Sequence, residues 1–185
     1  MSSLAILDTP IDGLKIIERK LWDDSRGFLA RLFCANELTA HWCKPVAQIN
    51  QTLTQKKGTI RGMHFQYPPH VEMKLVTCLH GAIWDVAVDL RAGSPTFLKW
   101  HAEELSATNH RALLIPEGFA HGFQSLTNDC ELIYLHSTPY TPGAEGGIHS
   151  QDPMLAIPWP LQVTELSTRD ASHPMLNHQF NGVSL

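Results

Sequence analysis

A chain of 185 residues is long enough for one domain with a real core and too short for two. Its hydrophobic fraction of 43% and charged fraction of 17% are ordinary for a globular protein, and a net charge of −4 leaves no basic surplus for a nucleic-acid backbone. A single anionic ligand, held by a few local cations, is still compatible with that balance.

The first residues, Met1 to Asp8, lack a basic cluster and reach an acid before any long apolar run, so no secretory signal is expected. The most apolar stretch is interrupted by Asp85 and Asp89, so no membrane span is expected either. Cys34, Cys43, Cys78 and Cys130 lie far apart and read as reduced, mostly buried thiols. The expected location is the cytoplasm.

Short runs of β-branched and aromatic residues recur between Gly, Pro, Asn and Asp clusters, which is the punctuation of an all-β protein. The predicted strands are Leu14–Ile17, Gly27–Phe33, Ala47–Leu53, Thr59–Gln66, Lys74–Leu79, Ala82–Leu90, Lys99–Glu104, Ala112–Ile115, Gly122–Ser125 and Glu131–His136. Helix is scarce: one turn capped by Asn36 and running to His41, and a short helix after Asp170. No repeat or linker divides residues 1–185, and the Pro- and Gly-rich stretch 137–160 is expected to cross one end of a barrel. Many short strands at close spacing favour a sandwich or barrel.

Between Ile83 and Leu90 the period of two puts Trp84, Val86, Val88 and Leu90 on one face, and Asp85, Ala87 and Asp89 on the other. On an open sheet the acids would simply be solvated. In a closed barrel they would face the lumen and need partners, and Lys74, across the His80-Gly81 turn, is the expected one.

Arg61-Gly-Met-His-Phe-Gln66 puts an arginine, a histidine and an amide in one predicted strand. Alternation sets His64 and Gln66 on one face, with Arg61 on the other unless Gly62 permits a bulge. Pro116-Glu-Gly-Phe-Ala-His-Gly-Phe123 is a turn feeding a strand, with His121 just after the bend. Each histidine taken alone is more often structural than catalytic.

Together the two segments resemble the paired motifs of the cupin superfamily, in which a PxGxxH turn faces a histidine on an earlier strand. Metal-binding cupins carry a second histidine where this chain has Gln66. A set of His64, Glu72 and His121 would place Lys74 beside the ion, which is unfavourable, so no metal or other cofactor is expected.

A closer resemblance covers nearly the whole chain. Asp24-Ser-Arg-Gly-Phe28, Gln48-Ile-Asn50, Arg61-Gly-Met-His-Phe-Gln66, Lys74-Leu-Val, Asp85-Val-Ala-Val-Asp-Leu-Arg91, Ser94-Pro-Thr-Phe97, the Pro116–Phe123 turn, Tyr134, Tyr140, Glu145, Asp152-Pro153, Trp159-Pro160 and Leu166-Ser-Thr-Arg-Asp170 follow the order found in the dTDP-4-dehydrorhamnose 3,5-epimerase family. That resemblance implies a cupin-type double-stranded β-helix, or jelly-roll barrel, with a few short helices. It also implies a nucleotide-sugar substrate, a homodimer and no cofactor. His64 would be the proton acceptor, oriented by Asp170; Tyr134 would be the donor, and Lys74 would stabilise the enolate. Arg26, Gln48, Asn50, Arg61, Gln66, Asp85, His121, Glu145 and Arg169 fall at substrate-binding positions, and Tyr140 falls where an aromatic stacks on the nucleobase.

The implied chemistry suits these residue types. Protons at C3 and C5 flank a C4 ketone, so removing either gives an enolate. Histidine has the basicity for that step at neutral pH, and a nearby cation stabilises the charge that develops. Inversion then needs a proton from the opposite face, hence a second group.

Three positions depart from the family pattern. Arg31 stands where a glutamate is usual at the nucleotide end, which leaves the base open with thymine as the family's own. Leu135 replaces a usual basic residue, and Arg169 replaces a usual lysine. The competing readings are a metal-dependent cupin dioxygenase or isomerase, and a non-catalytic carbohydrate-binding cupin.

Overall fold

The computed structural model describes residues 2–185. The strands are β1 (Leu4–Asp8), β2 (Lys15–Arg19), β3 (Leu21–Asp24), β4 (Gly27–Ala30), β5 (Gln48–Thr54), β6 (Thr59–Gln66), β7 (Lys74–His80), β8 (Ala82–Asp89), β9 (Trp100–Ser106), β10 (Arg111–Ile115), β11 (Phe119–Ser125), β12 (Cys130–His136), β13 (Glu145–Gly147) and β14 (Glu165–Leu166). One short helix, α1, follows at Thr168–Ala171.

One sheet runs β1-β2-β10-β7-β12-β5, the other β13-β6-β11-β8-β9 with β14 beside β6, and β3-β4 stand apart as a hairpin. Pairing within the sheets is antiparallel except for β14. Neighbours such as β7 and β12 are far apart in sequence, so the chain crosses repeatedly between two facing sheets: this is the jelly roll of the cupin type.

Three apolar layers hold the sheets. Between them, Ile16, Val76, Leu113 and Leu132 of one sheet meet Ile83, Leu105, Phe119 and Phe123 of the other. Outside the first sheet, Leu38 and Trp42 cover Leu75, Leu114 and Leu135. Outside the second, Ile148, Leu155, Ile157 and Val183 cover Met63, Phe65, Val86 and Val88. Each such side chain contributes about 1.5–3 kcal/mol by leaving water. The apolar face read from Trp84 to Leu90 is therefore the outer face of its sheet, sealed by the chain's C-terminal third.

Several expectations need correction. Only the first part of the 137–160 stretch crosses a barrel end, passing between Gln48 of one sheet and Gln66 of the other; the remainder lies along the second sheet, where Ile148 N donates to Met63 O at 3.0 Å and Met63 N to Ile148 O at 3.2 Å. β1 was not anticipated, because its outward Ala5 and Leu7 are as apolar as its inward Leu4 and Ile6, so the sequence shows no alternation. The predicted strand Gly27–Phe33 stops at Ala30, in the hairpin. Residues 36–41 form turns rather than a helix. Helix α1 contains Asp170, and its cap is Ser167, whose Oγ accepts from Asp170 N at 3.0 Å.

Candidate active site

The apolar plug between the sheets fills only part of the lumen. Beyond it opens a cavity of about 980 Å³, lined by strands of both sheets and by α1. All the expected site residues line it except Arg26 and Asp85.

On the second sheet, β6 supplies His64. Its Nε2 lies 2.8 Å from Asp170 Oδ1, and Gly62 N donates to Asp170 Oδ2 at 3.0 Å. Burial raises the Asp170 carboxyl, but hydrogen bonds from His64 and Gly62 outweigh it and hold the acid far below the usual carboxylate range. An ionised Asp170 can only accept, so Nε2 carries the ring proton and Nδ1 keeps its lone pair.

Opposite Arg61–His64, β11 pairs His121 with His64 and Phe123 with Arg61, so one extra residue on β6 is accommodated at a register shift. Gly62 sits there at φ 120, and a Cβ would meet Gly122 Cα at 2.5 Å. The bulge was the condition for Arg61 and His64 to share a side, and both line the cavity.

Asp85 stands behind His121 and accepts from its Nε2 at 2.7 Å, with both side chains buried. Lys74, its expected partner, instead pairs with Glu72 Oε1 at 3.1 Å. Asp85 and Lys74 lie on different sheets, whereas β11 is the true neighbour of β8.

The facing wall is β12 with β7 and β5. Tyr134 puts its ring 6.1 Å from that of His121, and its hydroxyl lies 3.4 Å from Thr52 Oγ1. Burial pushes the phenol well above its ordinary value. Lys74 Nζ reaches within 3.5 Å of His64 O, linking the two walls. Glu72 Oε2 accepts from His136 Nδ1 at 2.7 Å. Burial raises the Glu72 carboxyl, but Lys74 and His136 bring it below the ordinary value.

Polar contacts run round the mouth. Tyr140 N donates to Gln48 Oε1 at 3.0 Å, and its hydroxyl to Glu145 Oε2 at 3.1 Å. Arg169 NH1 lies 3.3 Å from Glu145 Oε1, and NH2 lies 3.3 Å from His64 Nε2. Gln66 Oε1 accepts from Thr141 N at 2.8 Å, so this amide chiefly holds the loop carrying Tyr140. Arg61 is tied to Thr54 Oγ1 at 2.9 Å.

Arg26 is 87% exposed on the β3–β4 hairpin, bound to Asp24 and outside the cavity. Arg31 also lies outside, paired with Glu37. The metal set weighed from sequence is not assembled, since Glu72 is engaged by Lys74 and His136, and His121 by Asp85. Among the described residues, His64, Asp170 and His173 do bring ligand atoms within 4.8 Å of one another, but the Arg169 guanidinium beside His64 opposes a cation there. Sequence reasoning missed His136, although its place two residues after Tyr134 put both on one face.

The profile of the family described as dTDP-4-dehydrorhamnose 3,5-epimerase matches residues 8–178. The chain is 39% identical to a dTDP-4-dehydrorhamnose 3,5-epimerase of Salmonella typhimurium, over 94% of this chain and 96% of that protein. It is 38% identical to a dTDP-4-dehydrorhamnose 3-epimerase of Streptomyces niveus, over 86% of this chain and 78% of that protein. A solved dTDP-6-deoxy-D-glucose-3,5-epimerase of Legionella pneumophila, in complex with dTDP-4-keto-L-rhamnose, matches with a TM-score of 0.91 at 40% identity, covering 98% of this chain and 99% of that one. The chain therefore belongs to the dTDP-4-dehydrorhamnose 3,5-epimerase family and is, by that membership, an isomerase.

Proposed function

We propose that this chain epimerises a nucleotide-linked 4-keto-6-deoxy sugar at C3, C5 or both, in deoxysugar biosynthesis, using its own side chains. The observation that carries the reading is the placement of His64–Asp170 on one wall of the cavity and Tyr134 on the facing wall. Inversion needs a base and an acid on opposite faces of the sugar ring. His64 Nδ1 takes the proton α to the ketone, and Asp170 stabilises the imidazolium that results. Lys74 faces the developing enolate oxygen with positive charge, and Tyr134 returns a proton from the other side. His121–Asp85, Asn50 and Gln48 fix the substrate, Arg61 and Arg169 receive the pyrophosphate, and Tyr140 meets the base.

Thymidine diphosphate is the proposed carrier, supported by the relatives' substrates. The test is solvent deuterium incorporation into dTDP-linked 4-keto-6-deoxy sugars, the D-configured precursor and dTDP-4-keto-L-rhamnose both, followed by NMR. Incorporation at C3 alone would make this a 3-epimerase, at both centres a 3,5-epimerase, and at neither would sink the reading.

We also propose a cytoplasmic homodimer. All four cysteines are free thiols, Cys78 and Cys130 buried as expected but Cys34 partly open and Cys43 exposed, which suits a reducing compartment. The β3–β4 hairpin exposes Trp22, Phe28 and Leu29, an apolar surface that a second copy would cover. Arg26, at a substrate-binding position of the family yet outside its own cavity, would then reach the partner's substrate. A monomer by light scattering at micromolar concentration would overturn the dimer.

A further inference from the structure

The wall opposite His64–Asp170 holds a third imidazole–carboxylate pair, Glu72 and His136, and its protonation follows from one backbone donor. Tyr140 N can only donate, so the atom of Gln48 it meets at 3.0 Å is Oε1. Gln48 Nε2 then donates to Asn50 Oδ1 at 3.1 Å. That leaves Asn50 Nδ2 as the atom 3.4 Å from His136 Nε2. Nε2 is accordingly the acceptor, and the ring proton sits on Nδ1, donated to Glu72 Oε2 at 2.7 Å. The other oxygen of Glu72 is the one 3.1 Å from Lys74 Nζ. One carboxylate is thus shared between an imidazole N–H and the ammonium that faces the cavity.

The sharing is built by register. His136 and Lys74 are directly opposite on β12 and β7, so both point to one side of the sheet. The His136 ring lies nearly parallel to Tyr134, at 6.2 Å and 26°. Lys74, Glu72 and His136 are almost fully buried, so water screens the Glu72–Lys74 attraction little.

We propose that His136 is a positioning residue for Lys74: by occupying one oxygen of Glu72, it keeps that carboxylate from turning wholly onto the ammonium. The inference rests on the reading of Lys74 as the cation that faces the enolate. Without the His136 N–H, both Glu72 oxygens are free to engage Lys74. The ammonium is then drawn toward the wall and more of its charge is cancelled, so less remains for the enolate oxygen. Binding of dTDP, held chiefly by Arg61 and Arg169, which bond to neither Glu72 nor His136, stays as it was.

The experiment measures deuterium wash-in from solvent into dTDP-4-keto-L-rhamnose at saturation, together with dTDP binding by calorimetry. His136→Leu slows wash-in about tenfold with the dTDP Kd unchanged. His136→Asn, whose amide can still donate to Glu72, recovers most of the rate. In the His136→Leu background, Glu72→Gln restores wash-in, because a neutral amide cannot cancel the ammonium. A role in packing alone gives the opposite pattern: the double variant is slower than His136→Leu, and Asn does not rescue. Either of those results, or a wild-type rate in His136→Leu, overturns the proposal. If His136→Leu fails to bind dTDP, His136→Phe, which keeps a ring against Tyr134, takes its place. A wild-type protein that exchanges no deuterium overturns the epimerase reading along with it, whereas exchange indifferent to these substitutions overturns the coupling alone.

Discussion

Asp170 grips His64 with one carboxylate oxygen, at 2.8 Å, and the backbone of the strand that carries His64 with the other, through Gly62 N at 3.0 Å. His64, the proposed base, and the bulge beside it are therefore set by a residue 106 positions away. Asp170→Asn keeps an oxygen to accept from Gly62 but turns an amide N–H toward His64 Nε2. The ring must then carry its proton on Nδ1, the nitrogen proposed to accept from substrate. Turnover is expected to fall by about 10³–10⁴, with dTDP affinity little changed. Deuterium wash-in beside calorimetry checks this; a variant with wild-type exchange would show that Asp170 does not set the tautomer.

Gly62 tests the bulge itself. At φ 120 its Cβ position is occupied by backbone, with Gly122 Cα at 2.5 Å and His121 O at 2.7 Å. Neither obstacle is a flexible side-chain end, so Gly62→Ala must push β6 and β11 apart. The expected outcome is a loss of about 3 kcal/mol or more of stability, together with activity, since His64 and His121 are paired across that gap. Urea denaturation provides the measurement, and a loss below about 1 kcal/mol would mean the strands yield easily.

How far the site could be read from sequence depended on distance along the chain. The alternation of β6 and β12 made the placement of His64 and Tyr134 in strands legible, and the order of motifs supplied Asp170. Partners across non-sequential strands were not legible. Asp85 was matched to Lys74 because β7 precedes β8, yet the chain crosses to the other sheet at the Gly81 turn, and Asp85 lies opposite Phe123 of β11. His136 escaped notice for the same reason: its pairing with Lys74 exists only once β12 is known to lie beside β7. β1 does alternate in burial, with Leu4 and Ile6 inward, but its outward Ala5 and Leu7 are apolar too, so no period showed in its sequence.

Asp89, away from the cavity, should govern acid stability. Its carboxylate accepts from Arg91 N, Nε and NH2, from Ser94 Oγ at 2.6 Å and from Thr96 Oγ1 at 2.6 Å. Burial pushes the acid up, but the donors from Arg91, Ser94 and Thr96 outweigh it and hold it at about 2. A carboxyl depressed in the folded state adds stability above its unfolded value and loses it as pH falls through the folded one. Asp89→Asn should therefore cost on the order of 1–2 kcal/mol at pH 7, and the gap to wild type should close between about pH 4 and pH 2. Urea midpoints across that range measure it; a gap that persists at about pH 2 would assign the loss to packing instead.

The two walls of the cavity make the sharpest prediction. His64 and Tyr134 sit on different sheets, so each addresses one face of whatever ring lies between them. His64→Ala removes the acceptor and should abolish deuterium wash-in at every centre the wild type exchanges, while dTDP still binds through Arg61, Arg169 and Tyr140. Tyr134→Phe leaves the acceptor intact. In D2O, His64 should still exchange the substrate's proton and return deuterium to the same face, so wash-in continues with the original configuration. Completed inversion requires delivery from the Tyr134 wall and should fall by about 10²–10³. The ratio of wash-in to inversion, read by NMR from one sample, should thus rise sharply in Tyr134→Phe and have no meaning in His64→Ala, where both vanish. If Tyr134→Phe lowers wash-in and inversion in equal proportion, the phenol is acting before the enolate forms, and the donor must be sought elsewhere on that wall.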